Sequence, residues 1–134
     1  MRTLTLIALG LALAAGTAAA APGSATLTIR HQVQHCHTWS VDGHTWRAAQ
    51  AITLGRHSTL TVVDNDMMPH TLLLVSGPKP SITGAAMSHM GAKAHVSFTA
   101  AGRYVFKTKA GEDYMKGMKT TGEDNVLRLV VTVK

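Results

Sequence analysis

The feature that most constrains this chain is a period-two alternation of apolar and polar residues, which recurs in short windows. Successive side chains of a β-strand point to opposite faces, so such alternation indicates strands with one face towards a core. The alternating apolar residues are Leu27 and Ile29, Leu60 and Val62, Leu72 and Leu74, Val96 and Phe98, Tyr104 and Phe106, and Leu127, Leu129, Val131 and Val133. Turn-forming residues separate the windows. The pattern predicts an all-β Greek-key β-sandwich of about seven to eight strands, with a short helical turn within residues 81–90.

The first 20 residues have a different character from the rest. A basic start at Arg2 is followed by an apolar run over residues 4–13 and by small residues up to Ala21. This order is typical of a secretory signal peptide that is cleaved after Ala20. The apolar run is about half of the roughly 20 residues that a spanning helix needs, so we expect no transmembrane anchor in the mature chain. The sequence predicts a signal peptide over 1–20, one domain over 21–134, and a periplasmic or secreted location.

Composition excludes several classes of protein. A chain with one Cys in 134 residues cannot form the intrachain disulfides of a disulfide-rich domain. The low aromatic content of 4% and the lack of a basic helix argue against nucleic-acid binding. There is no Ser-His-Asp arrangement, Walker loop or dinucleotide fingerprint. The adjacent carboxylates Glu112-Asp113 and Glu123-Asp124 are typical of solvated turns, so we expect no enzyme. The net charge of +6 suits an acidic protein partner or an anionic membrane face.

Metal donors are the unusual part of the composition, with eight His, seven Met and one Cys. They concentrate in three clusters: HQVQHCHTW at 31–39, DNDMMPH at 64–70 and EDYMKGM at 112–118. None has the ligand spacing of a zinc finger. In an exported chain, a lone thiol between two imidazoles indicates a metal ligand more strongly than an inert buried thiol. We therefore expect Cys36 to bind a metal.

Two segments resemble those of a known family. The sequence NDMMPH at 65–70, followed by a strand, is similar to the first copper-histidine turn of the cupredoxins. The sequence GRYVFKT at 102–108, leading to a Met-containing loop and a Val-rich strand, is similar to their penultimate strand and ligand loop. The resemblance implies the cupredoxin type of sandwich and a copper cofactor, Cu+ or Cu2+. Blue-copper members carry Cys and then His in the last loop, whereas here Thr108 stands at the Cys position and no His follows His95.

We expect Cys36 to supply the missing thiolate. The resemblance implies that the first and third strands run parallel and end at one pole of the sandwich, which also carries the ligand loop. The end of the first strand would then bring the segment around Cys36 close to His70. A thiolate, imidazoles and a thioether form a set that suits copper. The predicted ligands are Cys36, His37, His70 and Met115, with His35 as the alternative to His37 and Met118 as the alternative to Met115.

Other assignments of the donors stay open. Strand alternation would put His35 and His37 on one face and Cys36 on the other, so joint ligation by Cys36 and His37 requires a bend. Glu112 or Asp113 could bind in place of the missing His. The remaining histidines are expected to be surface or packing residues: His31, His44, His57, His89 and His95. Four further methionines are expected to pack the core or to form a thioether track: Met67, Met68, Met87 and Met90.

The function that these features favour is electron transfer by an exported copper protein with an atypical ligand set. The alternative is Cu(I) handling without a redox role, as a periplasmic chaperone, a buffer or a resistance protein. Electron transfer needs a rigid site, whereas delivery needs a site that is open to ligand exchange. The expected partners are the copper ion and an acidic protein that accepts either electrons or copper.

Overall fold

The computed structural model describes residues 23–31, 37–110 and 126–134, which form ten β-strands and no helix. The strands are β1 (Ser24–His31), β2 (His37–Ser40), β3 (Ala49–Leu54), β4 (Thr59–Asp64), β5 (His70–Ser76), β6 (Ser81–Thr83), β7 (Ala86–Met87), β8 (Lys93–Ser97), β9 (Gly102–Ala110) and β10 (Val126–Val133). Within these ranges, no helix has the length and apolar content that crossing a membrane requires.

The strands form two five-stranded sheets, in the orders β2-β1-β4-β8-β6 and β3-β10-β9-β5-β7. Neighbours run antiparallel except in two pairs, β1 with β4 and β3 with β10, which are parallel. The prediction of an all-β sandwich is confirmed. The resemblance implied that the first and third strands run parallel; the strand that ends at Asp64 does pair parallel with β1, but it is the fourth strand, and the architecture is cupredoxin-like.

The core lies between the two sheets and includes the residues that the alternation predicted. All of them except Leu74 have at most 3% of their surface exposed. Leu74 is half-buried and lies where the register between β5 and β9 shifts. Trp39 is also fully buried and adds an aromatic ring beside the first sheet. Each large apolar side chain buried in this way contributes about 1.5–3 kcal/mol to folding.

Two details of the predicted fold need correction. There are ten strands in the described ranges rather than seven to eight, because β2, β6 and β7 have only four, three and two residues and are too short to show a period. The helical turn predicted within 81–90 is wrong. That segment contains β6 and β7, whose backbone groups pair with β8 and β5 instead of with each other.

The turn between β6 and β7 depends on Gly84. Its φ is +67°, and a Cβ there would overlap the carbonyl oxygen of Lys93. We expect Gly84→Ala to lower the free energy of unfolding by about 2 kcal/mol or more, because strained backbone and a steric clash add together. Urea unfolding of the apoprotein measures this loss.

Gly43→Ala is the matched control for that experiment. Gly43 has a similar φ of +76°, but no atom lies within 4 Å of the added Cβ. It therefore reports the backbone strain alone, which costs about 1 kcal/mol. Equal losses in the two variants would show that the contact with Lys93 is relieved at no cost.

Candidate metal centre

Four polar side chains meet at one end of the sandwich, and we call them the histidine–aspartate cluster: His31, His37, Asp66 and His70. They come from both sheets. His31 ends β1 and His37 begins β2, while Asp66 follows β4 and His70 begins β5. All except His31 are buried, with 1% of the surface exposed in each case. Buried ionisable groups are costly unless they are paired, so this cluster is held by specific contacts.

The register of the strands explains why His31, His37 and Asp66, the three cluster members that the first sheet positions, lie close together. β1 and β4 run parallel with Ile29 opposite Asp64, and Asn65 continues the pairing by donating its N–H to the Ile29 carbonyl at 2.9 Å. His31 and Asp66 each lie two residues further on. His37 lies directly opposite His31 across the antiparallel pair β1–β2. Side chains of directly opposed residues share a face of the sheet, so the three groups lie side by side.

Asp66 joins the two buried imidazoles. Its Oδ2 lies 2.5 Å from Nδ1 of His37 and 3.1 Å from Nε2 of His70. The two rings are edge to face, with centroids 5.1 Å apart. A carboxylate only accepts hydrogen bonds, so each imidazole donates from the facing nitrogen. In a neutral imidazole, the lone pair then lies on Nε2 of His37 and on Nδ1 of His70.

The turn that carries Asp66 is built by its own carboxylates. Oδ1 of Asp66 accepts the N–H of Met68 at 3.2 Å, and Oδ1 of Asp64 accepts the N–H of Asp66 at 3.0 Å. Burial by itself would raise the pKa of Asp66, but hydrogen bonds from His37 and His70 outweigh it and hold that pKa below its ordinary value. At Asp64, burial prevails and raises the pKa of the carboxyl group.

Thr108 lies beside His70. Its hydroxyl is 3.4 Å from Nδ1 of His70, and the side chain is completely buried. The resemblance placed Thr108 where blue-copper proteins carry their Cys, and the structure brings this position next to a predicted ligand. A hydroxyl therefore faces the His70 nitrogen at the position where those proteins carry a thiolate.

The structure brings two of the predicted ligands, His37 and His70, together in the cluster. The other predicted donors lie outside the described residues: Cys36, Met115, His35, Met118, Glu112 and Asp113. One placement needs correction. His37 does not extend the first strand, because β1 ends at His31 and His37 begins a strand that returns antiparallel to it. Continuous alternation could not reveal this reversal of chain direction.

Sequence reasoning missed Asp66 as a member of the site and predicted that His31 is a surface or packing residue. His31 is exposed, but its ring lies 5.5 Å from that of His37. The alternation in β1 could have indicated that His31 faces inward, because His31 continues the series of inward-facing residues Leu27 and Ile29. No local pattern indicates the role of Asp66, because its imidazole partner His37 is 29 residues away in the chain.

The remaining histidines agree with expectation, since all four are exposed: His44, His57, His89 and His95. The methionines divide into two groups. Met68 and Met87 are buried and pack against the core, while Met67 and Met90 are 82% and 54% exposed. Met67 lies in the turn between Asp66 and His70, so an exposed thioether adjoins the histidine–aspartate cluster in sequence.

Comparisons with known proteins give similarities of fold alone. No protein-family profile and no curated protein sequence matches the chain. Among solved structures, a purple cupredoxin from Nitrosopumilus maritimus is 17% identical, with a TM-score of 0.45, over 82% of this chain and 99% of that one. A point mutant of amicyanin in the Cu(I) form is 13% identical, with a TM-score of 0.43, over 80% of each chain. A cysteine protease inhibitor from Entamoeba histolytica is 7% identical, with a TM-score of 0.44, over 84% of this chain and 97% of that one.

Proposed function

We propose that the chain is an exported copper-binding protein that carries electrons and is not an enzyme. His37 and His70 are the nitrogen ligands, and Cys36 and Met115 are the sulfur ligands. The observation that carries the proposal is the burial of His37 and His70 side by side at one end of the sandwich, around a shared carboxylate. Asp66 occupies one nitrogen of each ring, so the other nitrogen of each ring can bind an ion.

The chemistry of the donors fits copper. Imidazole nitrogen suits copper in both oxidation states, and thiolate and thioether sulfur favour Cu(I). Cys36 directly precedes His37 in the sequence, so a thiol is available within one residue of a buried imidazole. Copper, when bound, would supply one-electron redox chemistry. His37 and His70 would hold it through the nitrogens that do not face Asp66.

The surroundings of the two histidines suit electron transfer, which requires a site that changes little between oxidation states. Asp66 orients both rings by hydrogen bonds, and such outer contacts tune and immobilise metal ligands. His37 is paired with β1 through its backbone, and His70 lies between β7 and β9. The net charge of +6 favours an acidic redox protein as the partner.

Cu(I) handling is the second candidate, and the exposure of Met67 favours it. This thioether is 82% exposed and lies three residues before His70. A soft donor on the surface can accept or release Cu(I) by exchange with another protein. In this role the chain would deliver, buffer or detoxify copper.

One spectrum distinguishes the two candidates. We expect the protein loaded with Cu(II) to show intense visible absorption from thiolate-to-copper charge transfer, and Cys36→Ser to abolish it. A colourless protein that binds only Cu(I) would favour copper handling. If neither Cu(I) nor Cu(II) binds in stoichiometric amount, the copper proposal is wrong.

A further inference from the structure

The geometry points to a second mode of metal binding that uses none of the sulfur donors. We propose that His31, His37 and Asp66 bind a borderline divalent cation of the Zn²⁺ type. Each residue offers one ligand atom, and the three atoms lie within 4.8 Å of one another. The proposal does not depend on the copper site above, although it shares His37 with it.

The fold holds these three residues in adjacent positions. His37 and His31 lie on the neighbouring strands β2 and β1, and Asp66 lies two residues beyond the end of β4, the next strand of the same sheet. His37 is fixed opposite His31 by the antiparallel register, and Asp66 is fixed beside His31 by the parallel register and by the Asn65 hydrogen bond to β1. Backbone pairing on both sides of β1 therefore sets the spacing of the donors before any ion arrives. Such preorganisation lowers the entropic cost of binding.

The donor set is typical of zinc. Two imidazole nitrogens and one carboxylate oxygen occur together in zinc sites that keep a further position for water or another ligand. Donors around tetrahedral zinc lie roughly 3.3 Å apart, given metal–nitrogen distances of about 2.0 Å. The contact of 2.5 Å between His37 and Asp66 and the upper limit of 4.8 Å to His31 bracket that spacing. When the ion binds, the proton between His37 and Asp66 is released to solvent and the side chains rotate to that spacing.

The difference in burial among the three donors indicates the side from which a cation enters the site. His37 and Asp66 are each 1% exposed, whereas His31 is exposed at the end of β1. A cation therefore meets His31 first and reaches the two buried donors past it. Asp66 also contacts His70 at 3.1 Å, so the imidazole of His70 helps to orient the carboxylate from the opposite sheet.

Because His37 belongs to both donor sets, the two modes of binding exclude each other. The chain holds either Cu(I) through sulfur and imidazole or a divalent cation through imidazole and carboxylate. We expect Zn²⁺ to slow copper loading of the wild-type protein, and bound copper to prevent Zn²⁺ from binding at this site.

The test uses Zn²⁺ as the probe and the full mature chain with Cys36→Ser, which removes the only thiol. Isothermal titration should give one ion per chain. In that background, His31→Ala should weaken binding at least about 10-fold, and Asp66→Asn, which replaces a buried direct ligand, at least about 100-fold. His95→Ala is the matched control, since His95 is an exposed histidine on the same sheet, and it should leave Zn²⁺ affinity unchanged.

The outcome separates this inference from the copper proposal. His31 is exposed, so its replacement leaves the core intact, and a circular dichroism spectrum checks the fold of each variant. If Zn²⁺ binding is unaffected by His31→Ala, or disappears with Cys36→Ser, the sulfur-independent site does not exist. A parallel titration with Cu(I) reports on the copper proposal alone, because only that binding requires Cys36.

Discussion

Cys36→Ala and His70→Ala are each expected to lower the affinity for Cu(I) by at least about 100-fold, because loss of a direct ligand exceeds the 10–100-fold typical of residues that only support one. The thiolate is the strongest donor for Cu(I) in the proposed set. His70 is buried, so water cannot readily take its place. Titration of the apoprotein with Cu(I) against a competing chelator measures both losses.

Two exposed histidines serve as controls for that titration. His57→Ala and His95→Ala should leave Cu(I) affinity unchanged, since both side chains lie on the surface. Met115→Ala should have a milder effect and alter the redox balance more than occupancy, because an axial thioether is a weak ligand.

Copper should also protect the Cys36 thiol from alkylation. If Cys36→Ala keeps wild-type affinity, the thiol packs in the protein and does not bind the metal.

Asp66→Ala is expected to cost the apoprotein about 3–5 kcal/mol of unfolding free energy, because it removes the shared partner of two buried polar groups. His37 and His70 would each lose the carboxylate that accepts their hydrogen bond. The N–H of Met68 would lose its acceptor as well. Urea unfolding at neutral pH, compared with the wild type, gives the value.

The sign of the pH dependence follows from the pKa of Asp66. Hydrogen bonds hold this pKa below its unfolded value of about 3.9, so the stabilisation is present above that pH and is lost as the pH falls further. Wild-type stability should therefore decrease below about pH 4, and Asp66→Ala should show less of this decrease. Asp42→Ala is the control. Asp42 also has a lowered pKa, from the N–H groups of Thr45 and His44, but it is exposed. An equal loss of stability in both variants would contradict a special role for Asp66.

The strands were predictable because their signal is local. Alternation at Leu60 and Val62, or at Leu127 and Leu129, reports which face is buried without any knowledge of the neighbouring strand. The two-residue strand β7 was not predictable, because its hydrogen bonds come from β5 and its own sequence carries no period. The same limit explains the error at His37, whose strand has four residues and reverses the direction of β1.

The class of fold and the side chains capable of binding a metal were predictable from local sequence, because strand period and side-chain chemistry are properties of neighbouring residues. Which of these side chains lie together depends on tertiary packing. His37 and Asp66 are 29 residues apart in the sequence, and His70 and Thr108 are 38 residues apart. These contacts depend on the order and register of strands in two sheets, which are set by how the whole core packs. The position of the Asp66 carboxylate between two buried imidazoles is therefore a result of packing, and the sequence of its own turn does not predict it.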